Sequence, residues 1–154
     1  MPKEWSYIID IPPVATPRPN FRSVKGADGK VKNITYYPEK YNQYMRDVQE
    51  MLKRDNALNK DFYDVMACPY GVKAEIKFFV QAPKGYKGVN NIMRTTAPDI
   101  DNLEKAAFDS IFKGLEIKDS RIAMVAKAKF QELHRPRTEI TLKGIEWYAF
   151  NQSR

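Results

Sequence analysis

Alternation of apolar and polar residues is the clearest pattern along the chain, and it predicts strands. Segments such as WSYIIDI near the start and VKAEIKFFVQ in the middle place every second side chain on an apolar face, as half-buried strands do. Gly29 is expected to close a hairpin onto the strand that follows it, and residues 12–28 are interpreted as loop. We predict strands at residues 5–11, 30–37, 72–81, about 122–132 and about 138–148.

Apolar residues at helical spacing predict two longer helices. In residues 38–54 they form one stripe opposite a charged face, so the stripe belongs to the core. A second helix, residues 102–113, is expected to follow an N-cap at Asp101, with Glu104 completing a capping box and Gly114 ending the helix. The pattern of residues 56–70 leaves undecided whether they form a short additional helix. The stripe consists of Tyr41, Tyr44, Met45, Val48, Met51 and Leu52.

The resulting order of elements, ββαβαββ, lacks the steady alternation of a parallel α/β chain. It favours an α+β fold in which a mixed or antiparallel sheet carries helices on one face. At 154 residues, the chain is expected to form one domain, residues 1–154.

Basic residues are concentrated in two stretches that contain almost no acids. Overall, 26 Lys and Arg stand against 19 Asp and Glu, a net charge of +7. Residues 16–37 and 81–98 are predicted to be loops, and their cations could either contact a phosphate backbone or simply be solvated. Lys127 and Lys129 alternate on a predicted strand and so project from the same face. That face could equally line a DNA groove or be solvated. The candidate phosphate contacts in the loops are Arg18, Arg22, Lys84, Lys87 and Arg94.

Cysteine and histidine are too scarce for several classes of site. Cys68 is the one cysteine and His134 the one histidine of the sequence. This excludes an internal disulfide and a zinc site of the Cys/His kind within one chain. No apolar run approaches the ~20 residues of a membrane span, and the N-terminus lacks the pattern of a signal peptide. We therefore expect a cytoplasmic protein whose metal, if it has one, is bound by oxygen.

Acidic residues and a lysine gather around the second predicted helix. Asp99 and Asp101 lie at its start, Lys105 one turn further, and Asp119 shortly after its end. Mg²⁺ prefers oxygen ligands and completes its shell with water and phosphate oxygens, so this set fits a metal-dependent enzyme acting on nucleic acid. The simpler alternative is a helix cap, a turn residue and a surface ion pair of Lys105 with Asp101 or Asp109.

The motif D-x-D-N-L-x-K, followed by a D-S-x-I turn into a strand, resembles the RusA family of Holliday junction resolvases. The family's three metal-binding acids and its essential lysine correspond to Asp99, Asp101, Asp119 and Lys105. The segment IPPVATPRPNFR and the helix PEKYNQYMRDVQEML also fit the family's layout. One departure is Lys118, because family members often carry a second acid at that position.

The resemblance implies a Mg²⁺-dependent endodeoxyribonuclease that resolves four-way DNA junctions. It also implies a homodimer, which would make paired symmetric nicks, and products with 5′-phosphate ends. Two alternatives remain open from the residues themselves. One is a DNA-binding module without activity, and the other is a metal-dependent nuclease with a different branched or single-stranded target.

Overall fold

The structure is a computed structural model that describes residues 3–18 and 20–147. None of the helices in these ranges is long and apolar enough to span a membrane. The elements in chain order are β1 (Glu4–Ile9), β2 (Asn20–Lys25), β3 (Val31–Tyr36), α1 (Glu39–Arg54), α2 (Lys60–Met66), β4 (Val72–Gln81), α3 (Ile100–Phe112), β5 (Ile122–Glu132) and β6 (Arg137–Gly144).

Four of the strands form one mixed sheet in the order β1-β6-β4-β5. β6 runs antiparallel to both β1 and β4, whereas β4 and β5 are parallel. A parallel pair needs a crossover connection, and residues 82–121 supply it. Helix α3 lies in that crossover and contacts β5, so the crossover brings the predicted motif onto the face of the sheet.

The helices cover one face of this sheet, as predicted. On β4 the residues that alternate into the core are Val72, Ala74, Ile76 and Phe78, and all four are buried. The predicted stripe of α1 is confirmed, since five of its members are buried and the sixth, Met45, packs partly buried against the core. The α+β class is therefore confirmed.

One element was left undecided by the sequence analysis, and another was not predicted. The short helix left open between residues 56 and 70 is α2. The interpretation of residues 12–28 as loop was wrong in part, because β2 pairs with β3 across the turn at Gly29 and forms a separate two-stranded sheet. That pairing depends on a partner strand, and the short segment NFRSVK alone gives no clear alternation. The last predicted strand reached residue 148, which lies outside the described residues.

Candidate active site at the start of helix α3

Helix α3 begins one residue before Asp101 and not after it. Asp99 is the N-cap, with an extended backbone (ψ 135°), and its carbonyl accepts hydrogen bonds from the amides of Asn102 and Leu103, both at 3.2 Å. The prediction of Asp101 as the N-cap was therefore wrong. Asp99 and Asp101 are equally suitable cap residues two positions apart, and only the folded backbone shows which carbonyl starts the helix. The carboxylate of Asp101 is 84% exposed.

A lysine from the sheet joins Asp101 to Glu104. The ammonium of Lys127 on β5 lies 2.5 Å from Oδ1 of Asp101 and 2.7 Å from Oε2 of Glu104. Burial lowers the pKa of this ammonium, but the hydrogen bonds to the two carboxylates outweigh burial, so its pKa is raised. Glu104 thus binds Lys127, and the predicted capping box is wrong.

The same side of α3 continues with Lys105 and Asp109. Lys105 is exposed one turn beyond Asp101, and Asp109 follows one turn later. Burial raises the pKa of the Asp109 carboxyl, and the negative charge of Asp119 raises it further against the opposing effect of Lys105. Asp109 is therefore close enough to both residues for their charges to act on it, but within the described residues Lys105 forms no ion pair with Asp109 or with Asp101.

Asp119 is positioned by a single helical turn, residues Asp119–Arg121. The guanidinium of Arg121 donates to the carbonyl oxygen of Met66, at 3.1 Å, and to that of Cys68, which fixes the turn against the end of α2. Asp119 is exposed and borders a cleft of about 490 Å³. The other residues lining this cleft are Tyr37, Tyr41, Asn42, Met45, Asp109, Phe112, Lys113, Ile117 and Lys118.

The acids thus occupy two places along α3. Asp99 and Asp101 lie at its start, and Asp109 lies eight residues after Asp101, about 12 Å further along the helix at a rise of 1.5 Å per residue. Asp119 is not on α3 but borders the same cleft as Asp109. Among residues 3–18 and 20–147, no three His, Cys, Asp or Glu side chains are close enough together to hold a metal ion. The chemistry of the donors still fits Mg²⁺, because they are all carboxylates and Asp101 already faces the positive charge of Lys127.

The loop before α3 is held by two of the predicted DNA contacts. Lys129 lies on the same face of β5 as Lys127, as predicted, and its ammonium donates to the carbonyls of Thr96 (2.7 Å) and Pro98 (2.6 Å). Arg94 donates from Nε to the carbonyl of Ala97 at 2.7 Å. These bonds support the backbone that carries Asp99.

The remaining predicted DNA contacts are exposed around this site. Residues 12–18 attach to the start of α3, since the amide of Thr16 donates to the carbonyl of Asn102 at 2.9 Å. Arg18 ends that segment, and Lys84 and Lys87 lie in the loop that follows β4. The expectation that Arg22 lies in a loop was wrong, because it is on strand β2.

Two residues of this site escaped the sequence analysis. Glu104 was assigned to a cap and Arg121 was not considered, although both now support predicted site residues. The spacing of Glu104 three residues after Asp101 was the available signal, because it places both acids on adjacent positions of one helix. No comparable signal marks Arg121, whose partners are backbone carbonyls more than fifty residues away.

Comparison with known families places the chain beside a family of nucleases. The family model described as Endodeoxyribonuclease RusA matches residues 10–143, a range that runs from the end of β1 into β6 and includes all of α3. A search of curated proteins gives no match.

Proposed function

Because the chain belongs to the endodeoxyribonuclease RusA family, we propose that it resolves four-way (Holliday) DNA junctions by Mg²⁺-dependent, paired symmetric nicks. The family's enzymes are nucleases that act on branched DNA. The observation that carries the proposal for this chain is the exposed row of Asp101 and Lys105 on one side of α3, within the matched range. We place this activity in DNA recombination and repair, in the cytoplasm.

Asp99, Asp101 and Asp119 are the residues that would hold one or two Mg²⁺ ions. A bound Mg²⁺ lowers the pKa of a water and neutralises charge on the leaving oxygen. Lys105 contributes from the protein side. Its exposed ammonium, between the two acidic places of α3, would stabilise charge that develops on the scissile phosphate. Cleavage would leave 5′-phosphate and 3′-hydroxyl ends.

The hairpin formed by β2 and β3, residues 20–36, is the strongest candidate for an arm that binds DNA; we call it the basic arm. Its principal contacts are between its own two strands. It carries exposed cations, and the one acid within it, Asp28, uses Oδ1 to accept the amide of Lys30 at 3.0 Å. Because a two-stranded ribbon fits the major groove, the arm suits a duplex branch. The cations are Arg22, Lys25, Lys30 and Lys32.

Arg18, Lys84 and Lys87 complete the proposed DNA surface. They lie on segments that adjoin α3 and are exposed, so they are suited to phosphates close to the cleavage site. Such contacts position the backbone and carry little sequence information. Lys127, Lys129 and Arg94 support the site from within the chain, as their hydrogen bonds indicate.

We further propose that the active form is a homodimer. Resolution requires two cuts in opposed strands, and a two-fold axis supplies two identical sites in symmetric positions. Sedimentation of the purified protein should give twice the mass of the 17.9 kDa chain. A monomeric species that resolves junctions into two nicked duplexes would contradict the proposal of a dimer.

The direct test is cleavage of a synthetic four-way junction by the purified protein. With Mg²⁺ we expect symmetric nicks that a ligase can reseal, and with EDTA we expect none. A panel of flaps, single strands, linear duplex and RNA distinguishes a resolvase from a nuclease with another target. If the protein cuts any of these in preference to the junction, that nucleic acid and not the junction is its substrate. If it cuts none of them and does not cut the junction, the proposed nuclease activity is wrong.

A further inference from the structure

Lys127 contacts a carboxylate oxygen of Asp101, which is one of the proposed metal ligands. Its ammonium contacts Asp101 at 2.5 Å and Glu104 at 2.7 Å. The two acids are three residues apart and therefore adjacent on the helix. Their negative charges repel each other, and a cation between them offsets that repulsion. Lys127 thus makes with Asp101 the contact that a divalent cation would make.

The three side chains differ in their access to solvent. Asp101 is 84% exposed, whereas Lys127 is 23% and Glu104 is 20% exposed. The contact between Glu104 and Lys127 is thus the sheltered part of the cluster. Asp101 lies at its open end, where a hydrated cation has direct access to the carboxylate.

We propose that Lys127 is a positioning residue that holds Asp101 in the metal-free protein and competes with the divalent cation for this carboxylate. Glu104 keeps the displaced ammonium beside the site. The proposal rests on the proposed function, since it takes Asp101 to be a metal ligand. It assigns to Glu104 and Lys127 a role that the resemblance does not include.

Two consequences follow from the charges. Lys127 weakens the binding of the cation in the absence of DNA, because the cation must displace an ion pair and then remain near an ammonium. A DNA phosphate arriving at the site adds negative charge and offsets that repulsion. Lys127 therefore makes tight binding of the cation depend on the presence of the substrate.

The test is a titration of the DNA-free protein with Mn²⁺, in which electron paramagnetic resonance measures the free metal. Lys127→Met removes the charge and keeps most of the apolar stem. We expect it to bind Mn²⁺ roughly tenfold more tightly than wild type, as for one unit charge about 4 Å away in a mostly solvated site. Lys127→Arg keeps the charge and should bind no more tightly than wild type.

Lys77→Met is the matched control. Lys77 is also a lysine of the central sheet, but it is exposed between the buried residues Ile76 and Phe78 and so lies on the face opposite the helices. The Lys77→Met variant loses the same unit charge and should bind Mn²⁺ with the affinity of wild type. If Lys127→Met does not fold, as judged by circular dichroism, Lys127→Gln removes the same charge with a polar side chain and should tighten binding equally.

The outcomes separate this inference from the proposed function. If wild type binds Mn²⁺ and Asp101→Asn does not, while the Lys127 variants match wild type and Lys77→Met, Lys127 does not compete for Asp101 and the inference is overturned. If wild type itself binds no Mn²⁺ at millimolar concentrations with or without junction DNA, both the inference and the proposed metal role are overturned. Tighter binding confined to Lys127→Met and Lys127→Gln supports the inference.

Discussion

Asp101 and Asp61 occupy the same position in their respective helices but have different side-chain contacts. Each is the second residue of its helix, because α3 begins at Ile100 and α2 begins at Lys60. Both are exposed, and both receive the same kind of support from the start of a helix. Only Asp101 receives a hydrogen bond from Lys127. A loss of function particular to Asp101 therefore reports on the site and not on its helix position.

Lys105→Ala should separate binding from cleavage. The exposed ammonium of Lys105 is proposed to act on charge that develops during the reaction, so we expect single-turnover cleavage at saturating protein to slow by about 10²-fold or more. Junction affinity should change by only about threefold, as for one screened surface contact. Gel-shift titration and quenched-flow cleavage of the same junction measure the two quantities.

Lys53→Ala provides the comparison for Lys105, because Lys53 is an exposed lysine in the last turn of α1 and does not line the cleft beside Asp119. It should leave the cleavage rate near that of wild type. If Lys105→Ala loses binding and cleavage in equal measure, Lys105 is an ordinary phosphate contact and has no role in the transition state.

The sequence alone supplied the candidate residues of the site, but it could not supply their partners. Asp99, Asp101 and Asp119 were identified because carboxylates at this spacing around a helix suit Mg²⁺. The contact of Glu104 with Lys127 spans 23 residues and depends on the crossover that places α3 over β5. Local sequence carries no information about that distance, so Glu104 was assigned to a cap.

At the scale of elements, periodic segments were predicted well and paired segments were not. β4 and β5 begin and end at the predicted residues, and both ends of α1 and α3 agree within two. α1, α3 and β4 each bury a regular set of side chains, which leaves a pattern in the sequence. β5 is the exception, because Glu132 is its one buried residue. In β2, none of the side chains of residues 22–25 is buried. The strand is defined by its pairing with β3, so it was interpreted as loop.

The connection between β5 and β6 depends on a buried carboxylate, that of Glu132. Glu132 is 4% exposed, and its Oε1 accepts the amide of Arg135 at 3.1 Å and lies 3.9 Å from Arg137. Glu132→Gln removes the charge that faces Arg137. We expect it to lower the free energy of unfolding by about 2 kcal/mol at pH 7, as for one partner removed from a buried charged pair. Chemical denaturation measures the change.

The effect of Glu132→Gln should depend on pH. Burial alone would raise the pKa of Glu132, but the amide of Arg135, the side chain of Asn90 and the charge of Arg137 outweigh burial and lower the pKa. A lowered folded pKa means that the stabilisation is present above the unfolded pKa, about 4.3, and is lost as the pH falls through the folded pKa. The difference between wild type and Glu132→Gln should therefore shrink below about pH 4.

Glu116→Gln is the control for this element, since Glu116 is an exposed acid in the segment after α3. It should change the free energy of unfolding by less than about 0.5 kcal/mol at either pH. A Glu132→Gln variant as stable as wild type at pH 7 would show that the buried carboxylate does not stabilise this connection.

At the scale of the molecule, the class of fold was predictable but the order of strands was not. The sequence of strands and helices favours α+β whatever the pairing. The order β1-β6-β4-β5 brings together strands from both ends of the chain, and many orders satisfy the same hydrophobic pattern. That order decides which residues of β5 lie beneath α3. The assignment of residues 1–154 to a single domain stays a prediction.

The basic arm should account for part of the salt dependence of DNA binding. The triple variant Arg22→Ala, Lys25→Ala, Lys32→Ala removes three exposed cations of the arm. For every phosphate that is no longer neutralised, the slope of log affinity against log salt should fall by about 0.9, so by up to about 2.7 in total. Affinity should fall alike for junctions of different sequence, because phosphate contacts carry little sequence information.

A second triple variant controls for net charge. Lys73, Lys77 and Lys143 lie on the face of the sheet opposite the helices, so their replacement by Ala removes three cations away from the proposed DNA surface. This variant should keep most of the wild-type slope. Equal slopes for the two triple variants would show that the arm does not bind the phosphate backbone.

Cleavage of a four-way junction by wild type, Asp101→Asn and Asp61→Asn in Mg²⁺ tests the central claim most directly. Asn preserves the shape of either side chain, so both variants should fold and bind the junction. We predict that Asp61→Asn cuts at the wild-type rate, whereas Asp101→Asn binds the junction at least as tightly and does not cut. An Asp101→Asn variant that cuts at a rate near that of wild type would contradict the account.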